Sequence, residues 1–396
     1  MNSLIEKLPA RERHLVAVAR DFAARHIRPA ADDWERARRF PDAVHRLAGE
    51  AGLTLLLLDR AKGGNGVSPA AAVLISEELA AGDLSFALPV MAHNYVAWAV
   101  ADHAPPAFRE DMLPKLRAGM ATGAFALTEP GAGSDASAIT TRARRDGAGW
   151  VLNGEKAWVL RGTDADFLLI YAQTDPQAGH RGIALFLVEA SRAGVTKGAP
   201  YDLLGGHAMG VNSVGLSEVR IPSENMLVPA GEGLRFGLKA IDYARATVAG
   251  MACGLLRDGL DTARAYTIER QAFGQSVLDF QGVEWMLADA ATDLEAARLL
   301  TQRAAAALDS GEDRATAAAH AKKFATRVAL NGLSSCMQVM GANSLRRDHA
   351  VGRQFLSAKI AMFLDGSTQI QNVVIGRALR KAPLVPDAGD RAEVAG

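Results

Sequence analysis

Apolar residues recur at helical spacing through the first third of the chain. Leu15, Val18, Ala19 and Phe22 fall on one helix face, and the alanine-rich stretch 70–81 continues the helical reading. Gly63, Gly64, Gly66 and Pro69, then Pro105 and Pro106, interrupt the pattern, which predicts several helices between Arg11 and about Gly119. Between Phe125 and Pro229 the character changes. Short β-branched and aromatic runs at 150–152, 156–160, 167–171 and 183–188 predict strands, and Asn153-Gly154 between the first two predicts a hairpin turn. Beyond Pro229 the helical period returns: Val283, Met286, Leu287, Ala290, Leu294, Ala297 and Leu300 form one apolar stripe. The predicted class is therefore α+β in three blocks, residues 1–122 helical, 123–229 β and 230–396 helical. No repeat with a fixed period of about 20–50 residues is visible, and the tail from Pro383 is polar.

Composition narrows the function. The 396 residues carry 44 Lys and Arg against 44 Asp and Glu, and 49% are hydrophobic, so disorder is excluded as the main state. Balanced charge supplies no field for a polyanion, which argues against a nucleic-acid partner. Cys253 and Cys336 lie in apolar helical contexts and read as reduced thiols, giving a cytoplasmic expectation. The stretch from Leu84 to Ala101 is free of charge, but Pro89, His93 and Asn94 interrupt it, so no membrane span is expected. Met1 to Pro9 leads into a charged helical segment rather than a secretory signal. The nine histidines show no zinc spacing; His93 and His207 read as ordinary polar residues, and no metal is expected.

Two segments carry chemistry. Leu127-Thr128-Glu129-Pro130-Gly131-Ala132-Gly133-Ser134-Asp135 is a turn in which backbone N–H groups and the Thr128 and Ser134 hydroxyls can approach a flat or anionic ligand. A glycine-rich loop without a ligand is the alternative. It is not a dinucleotide fingerprint, because the third glycine and the following ribose-binding acid are missing. Gly63-Gly64-Asn65-Gly66 lacks the residues of a phosphate loop and reads as a turn. Near the C-terminus, Phe363-Leu364-Asp365-Gly366-Ser367-Thr368-Gln369-Ile370-Gln371 puts one carboxylate before a step that can open a helix. Asp365 is either beside a ligand or, with Ser367 as the other candidate, an N-cap.

Together these segments resemble the acyl-CoA dehydrogenase family, from about residue 11 to about 380. The resemblance is carried by Ile75-Ser76-Glu77-Glu78-Leu79-Ala80, Thr128 to Asp135, Asn153-Gly154-Glu155-Lys156-Ala157-Trp158, Glu269-Arg270-Gln271-Ala272-Phe273-Gly274, Phe280-Gln281, Gln338-Val339-Met340-Gly341-Ala342-Asn343 and Gly366 to Gln371. It implies an N-terminal helical domain, a β-barrel-like middle domain and a C-terminal four-helix bundle. It also implies a non-covalent FAD. Phe125, Leu127, Thr128, Gly133, Ser134, Trp158, Leu160, Ser367 and Gln369 would contact the cofactor, while Arg270, Phe273, Gln281, Gln338 and Gly341 would hold the adenosine half of a neighbouring subunit's FAD. A homodimer or homotetramer follows. The implied reaction removes an α-proton from an acyl thioester, on CoA or on an acyl carrier protein, and passes the β-hydrogen as hydride to flavin N5. An electron-transfer flavoprotein would then take the electrons. Asp365 would be the base, with Ser134, Asp242, Arg245, Leu364 and Gly366 lining the substrate channel. A second branch of the family carries its base where this chain has Ala244.

Several positions depart from the family pattern. Asp365 stands where Glu is usual, one methylene shorter, and a misplacement of about 1 Å can cost roughly a hundredfold in rate. Leu160 replaces a Thr that bonds the flavin, Leu364 replaces a Tyr, Leu356 and Ser357 replace an Arg-Asp pair, and Asn372 replaces an Arg. The Asp base also resembles nitroalkane oxidase, and a displaced base would suit a non-redox, flavin-bearing acyl-thioester lyase. His93, Tyr95 and Trp98 are expected near the acyl pocket, hinting at a short, branched or polar acyl group.

Overall fold

Helices α1 (Asn2–Glu6), α2 (Ala10–Phe22), α3 (Ala31–Ala37), α4 (Asp42–Glu50), α5 (Pro69–Gly82), α6 (Leu84–His103) and α7 (Pro106–Arg117) build the first block. The computed structural model describes residues 2–381, so the polar tail from Pro383 lies outside the described residues. Ser68 caps α5 by accepting from the Ala71 N–H, with Pro69 at the first helical position, and Asp83 caps α6 by accepting from the Ser85 N–H. Helix α6 is long and apolar enough to cross a bilayer, yet 89% of its most apolar window is buried in the fold, which makes it a core helix. The glycine run at 63–66 is a turn, entered with Gly63 at φ 89°.

The middle block is an eight-stranded sheet comprising β1 (Gly123–Ala126), β2 (Arg142–Asp146), β3 (Gly149–Val159), β4 (Phe167–Gln173), β5 (Ile183–Glu189), β6 (Val195–Lys197), β7 (Asn212–Pro222) and β8 (Met226–Val228). The order is β6-β7-β3-β2-β4-β5-β8, with β1 parallel to β4. Every residue of β4 is buried, as a strand covered on both faces requires. The expected hairpin at Asn153-Gly154 does not form: β3 runs straight through it. The pairing with β7 instead shifts register between Leu152 and Gly154, and the Asn153 side chain bonds Glu218 through Nδ2–Oε1 (2.7 Å) and N–Oδ1 (2.8 Å). Asn153 thus stands opposite a bulge in β7 at Ser217-Glu218, where Glu218 is left-handed (φ 51°), rather than in a turn. The actual β2–β3 turn is at Gly147-Ala148, with Gly147 at φ 58°.

The last block contains α8 (Gly233–Glu269), a short hairpin of β9 (Gln271–Ala272) and β10 (Gln275–Ser276), then α9 (Gln281–Ser310), α10 (Arg314–Met340), α11 (Val351–Ala361) and α12 (Thr368–Lys381). Helices α8, α9 and α10 pack on one another, α12 packs on α10, and short α11 sits against α8 and α10. Helix α5 crosses α8 so closely that a Cβ at Gly250 or Gly254 would fall 2.4 Å from Val73 O or 2.1 Å from Glu77 O. The two buried carboxylates of α5 are held from three helices: Arg298 Nη2 on α9 lies 2.6 Å from Glu77 Oε1, and Arg257 Nη2 on α8 and the half-exposed Arg20 Nη2 on α2 each lie 2.7 Å from Glu78. The Ile75–Ala80 motif is therefore an interdomain clamp. Cys253 and Cys336 are free and buried.

Candidate active site

The segment between α11 and α12 turns through two successive left-handed residues, Asp365 (φ 50°) and Gly366 (φ 92°). Glycine adopts this region freely, whereas an Asp there costs roughly 1–2 kcal/mol, so the surroundings must hold it. Three side chains do. Lys322 Nζ, from α10, donates to Met362 O (3.1 Å) and Gly366 O (2.8 Å); Arg245 Nε, from α8, donates to Asp365 O (3.1 Å); Gln371 Nε2, from α12, donates to Gly366 O (2.8 Å). The first α12 hydrogen bond runs from Gln371 N to Ser367 O (3.1 Å). The Asp365 carboxylate has no hydrogen bond to a described residue, which leaves it available for chemistry. Its pKa is pushed up by burial, while the Lys322 and Arg245 charges pull it back down.

Asp242 and Arg245, expected to line the channel, form a buried pair at 3.3 Å, with Arg314 Nε 3.6 Å from Asp242. Through its bond to Asp365 O, Arg245 supports the base turn. Burial raises the Asp242 pKa, and Arg245 and Arg314 oppose it. Leu364 packs on the helical core.

Of the three expected pocket residues, Tyr95 and Trp98 share one side of α6, and His93 does not, because residues two apart on a helix point about 200° apart. Tyr95 is buried, its hydroxyl 2.9 Å from Thr247 Oγ1 on α8. Burial raises its pKa, and the Asp365 charge adds to the rise, which marks the phenol as a neighbour of the base. Trp98 stacks edge-on against Tyr243 (5.8 Å) and bonds Asp102 through Nε1 (2.8 Å). His93 turns away: Nε2 lies 2.9 Å from Leu116 O, its ring meets His45 at 4.8 Å, and burial lowers its pKa to about 4. His207 pairs with Glu35 at 2.6 Å.

The glycine-rich loop leaves β1 beside Phe125 and closes on itself through reciprocal bonds between Glu129 and Ala132, both 3.1 Å. Thr128 O accepts from Ala157 N (2.9 Å), which ties the loop to the end of β3 just before Trp158. Beneath it the buried Lys156 Nζ lies 2.7 Å from Glu129 Oε1 and donates to Leu127 O (3.2 Å); Glu129 also accepts from Thr140 N and Oγ1 and from Thr141 N. Burial alone would raise the Glu129 pKa, but these bonds overcome it and hold the carboxyl at about 2. Ser134 is exposed, and a Cβ on Gly131 or Gly133 would meet nothing within 4 Å. Trp158, in left-handed backbone (φ 57°), is 61% exposed and touches Tyr201 edge-on at 4.9 Å. An open glycine loop with two hydroxyls beside an exposed indole fits a flat, polar-edged ring such as isoalloxazine. Leu160 is half-buried against the helical core, with no side-chain donor to offer. Ser367 is half-buried and Gln369 exposed at the start of α12.

Arg270, Phe273, Gln281, Gln338 and Gly341 gather at the opposite end of the bundle, where α8 ends, α9 begins and α10 ends, and all are exposed. Phe273 (φ 51°) is 98% exposed, its ring 6.0 Å from that of Phe280. Asn343 Nδ2 donates to Tyr266 OH (2.6 Å) and joins the two helix ends there. From Arg245, which touches the base turn, to Arg270 is roughly 37 Å along α8 at about 1.5 Å per residue. The two expected halves of the cofactor site therefore lie far apart within one chain.

Sequence reasoning passed over Lys322, Glu129 and Lys156 as site residues. The last two sit inside motifs already singled out; nothing local marks Lys322, whose partners are 40 and 44 positions away.

Comparison with known proteins closes the identification. Three family patterns match in chain order: acyl-CoA dehydrogenase, N-terminal domain at residues 9–120, middle domain at 124–219 and C-terminal domain at 231–380. A probable acyl-CoA dehydrogenase of Mycobacterium leprae is 33% identical over 374 residues, covering 94% of this chain and 96% of that protein. Among solved structures, butyryl-CoA dehydrogenase from Megasphaera elsdenii superposes with a TM-score of 0.90 at 29% identity, covering 95% of this chain and 99% of that one. A glutaryl-CoA dehydrogenase from Mycobacterium smegmatis in complex with FADH2 gives a TM-score of 0.90 at 28% identity, covering 97% and 98%. The chain belongs to the acyl-CoA dehydrogenase family, oxidoreductases that act on CH–CH bonds with FAD as cofactor.

Proposed function

We propose that this protein dehydrogenates a short or branched acyl-CoA, with Asp365 as the base. The observation that carries the reading is the Asp365 turn, a strained backbone held by three separate helices with its carboxylate left free. Asp365 takes the α-proton, and the electron pair of that C–H bond becomes the second bond of the α,β-alkene as the β-hydrogen leaves with its own pair. FAD, when bound, supplies the acceptor for that hydride. The Asp365 N–H has no partner among the described residues and would be a donor to the thioester carbonyl, polarising it and so acidifying the α C–H. Tyr95, tied to Thr247 on α8, is an electrostatic neighbour of both Asp365 and Tyr243, and a phenol ring close to the base supports a short acyl group.

Thr128, Ser134 and Trp158 would hold the isoalloxazine, and Arg270, Phe273, Gln281, Gln338 and Gly341 would serve the cofactor of a second subunit. Arg245 at the base turn and Arg270 at the end of α8 lie roughly 37 Å apart along that helix, which supports that division and with it a homodimer or homotetramer. An electron-transfer flavoprotein would reoxidise the enzyme, and the cytoplasm is its proposed location.

The test is anaerobic bleaching of the FAD-loaded enzyme near 450 nm, as expected for a flavin, by short, branched and cyclic acyl-CoAs, the matching acyl-carrier-protein thioesters, and nitroethane. Bleaching by a short or branched acyl-CoA supports the reading. Bleaching by nitroethane alone would replace it with an oxidase.

A further inference from the structure

We infer that Lys322 is a positioning residue for the base: from α10 its ammonium braces the turn that presents Asp365 and supplies the positive charge that keeps this carboxylate ionised. The inference rests on Asp365 being the base.

Lys322 is wholly buried, yet its two hydrogen bonds go to neutral carbonyls, Met362 O at 3.1 Å and Gly366 O at 2.8 Å, on either side of Asp365. Among the described residues no carboxylate oxygen lies within ion-pair distance of its Nζ. A charge buried on these terms is costly, and an unbranched apolar side chain would fill the same place in α10 without the desolvation. One carboxylate does act on the ammonium through space, and it is Asp365. Burial lowers the Lys322 pKa to about 8, with the Asp365 charge working against the fall. Reciprocally, Lys322 is the strongest influence drawing the half-buried Asp365 carboxyl down.

The charged and titratable groups facing Asp365 come from three helices. Lys322 is on α10 and Tyr95 on α6, while Arg245 on α8 has its charge shared with Asp242. Tyr95 is neutral across the working range, because burial raises its pKa. Among the described residues Lys322 is therefore the cation facing Asp365 with no competing acid. Removing a cation raises a carboxyl pKa, so its loss should move the acid limb of the flavin-reduction profile to higher pH. Because Lys322 and Asp365 interact, the limbs belong to the pair rather than to either residue.

The experiment is stopped-flow flavin reduction of the FAD-loaded enzyme by excess acyl-CoA, measured against pH for wild type, Lys322→Met, Lys322→Gln and Lys322→Arg, with Asp365→Asn in parallel. The two neutral variants should retain FAD and shift the acid limb up by about one pH unit, which lowers reduction about tenfold below the limb. Lys322→Arg should keep the limb near the wild-type position. An unshifted limb in both neutral variants, even with a uniformly slower rate, would overturn the inference, as would loss of FAD from both, which would mark Lys322 as purely structural. Undiminished reduction by Asp365→Asn would instead remove the base assignment itself, an outcome the Lys322 series cannot imitate.

Discussion

Lys156 Nζ lies 2.7 Å from Glu129 Oε1, with both side chains buried under the glycine-rich loop. The pair joins the end of β3 to the turn that carries Thr128 and Ser134, so the loop is fixed from below while its upper side stays open. Glycines give the loop its close approach to a ligand; the ion pair gives it one shape.

Breaking that pair should cost both fold and cofactor. Glu129→Gln leaves a buried ammonium facing an amide, and removal of one partner from a buried pair costs about 3–5 kcal/mol. The expected result is a lower Tm at neutral pH and a lower FAD-to-protein absorbance ratio after gel filtration. The sign of the pH dependence follows from the folded carboxyl lying at about 2, below its ordinary 4.5. Its contribution is complete above about pH 4.5 and is lost as pH falls toward 2, so wild type should lose stability over that window more steeply than Glu129→Gln.

Phe273 is a large apolar ring on left-handed backbone, almost fully exposed in one chain. Covered by a second subunit, it would be a central contact. Phe273→Asp should lower the oligomeric state measured by light scattering and release FAD, while the helical circular dichroism stays unchanged. A variant that remains oligomeric and yellow would show that Phe273 belongs to neither interface nor cofactor site.

Tyr95 sets the proposed acyl limit. Tyr95→Ala should raise kcat/KM for longer acyl-CoAs relative to short ones by about fourfold for each methylene newly accommodated, at about 0.8 kcal/mol per buried CH2. Tyr95→Phe keeps the ring and should leave the chain-length order unchanged. Thr247 Oγ1 retains a donor bond to Ala244 O (3.0 Å), so no hydroxyl is stranded.

The three-block architecture was legible because periodicity changes twice, near Phe125 and near Pro229, where the middle sheet begins and ends. Asn153-Gly154 misled because Asn also suits a strand position facing a bulge; partner strand β7, bulged at Ser217-Glu218 some 65 residues away, decides between the two. Asp365 was legible through the Gly-Ser-Thr step that follows it, but its restraint was not. Lys322, Arg245 and Gln371 reach the turn from three helices, and only the tertiary structure brings them together. Likewise, His93 and Tyr95 look equivalent in the sequence until helix geometry sends them to opposite sides.

The central claim is that Asp365 removes the substrate proton, and the most direct measurement is the anaerobic rate of flavin reduction in Asp365→Asn under saturating acyl-CoA. Loss of a general base should slow reduction by about 10²–10⁴-fold, with FAD content and acyl-CoA binding preserved because the asparagine keeps the shape of the turn. Reduction at the wild-type rate would contradict the account and place the base elsewhere.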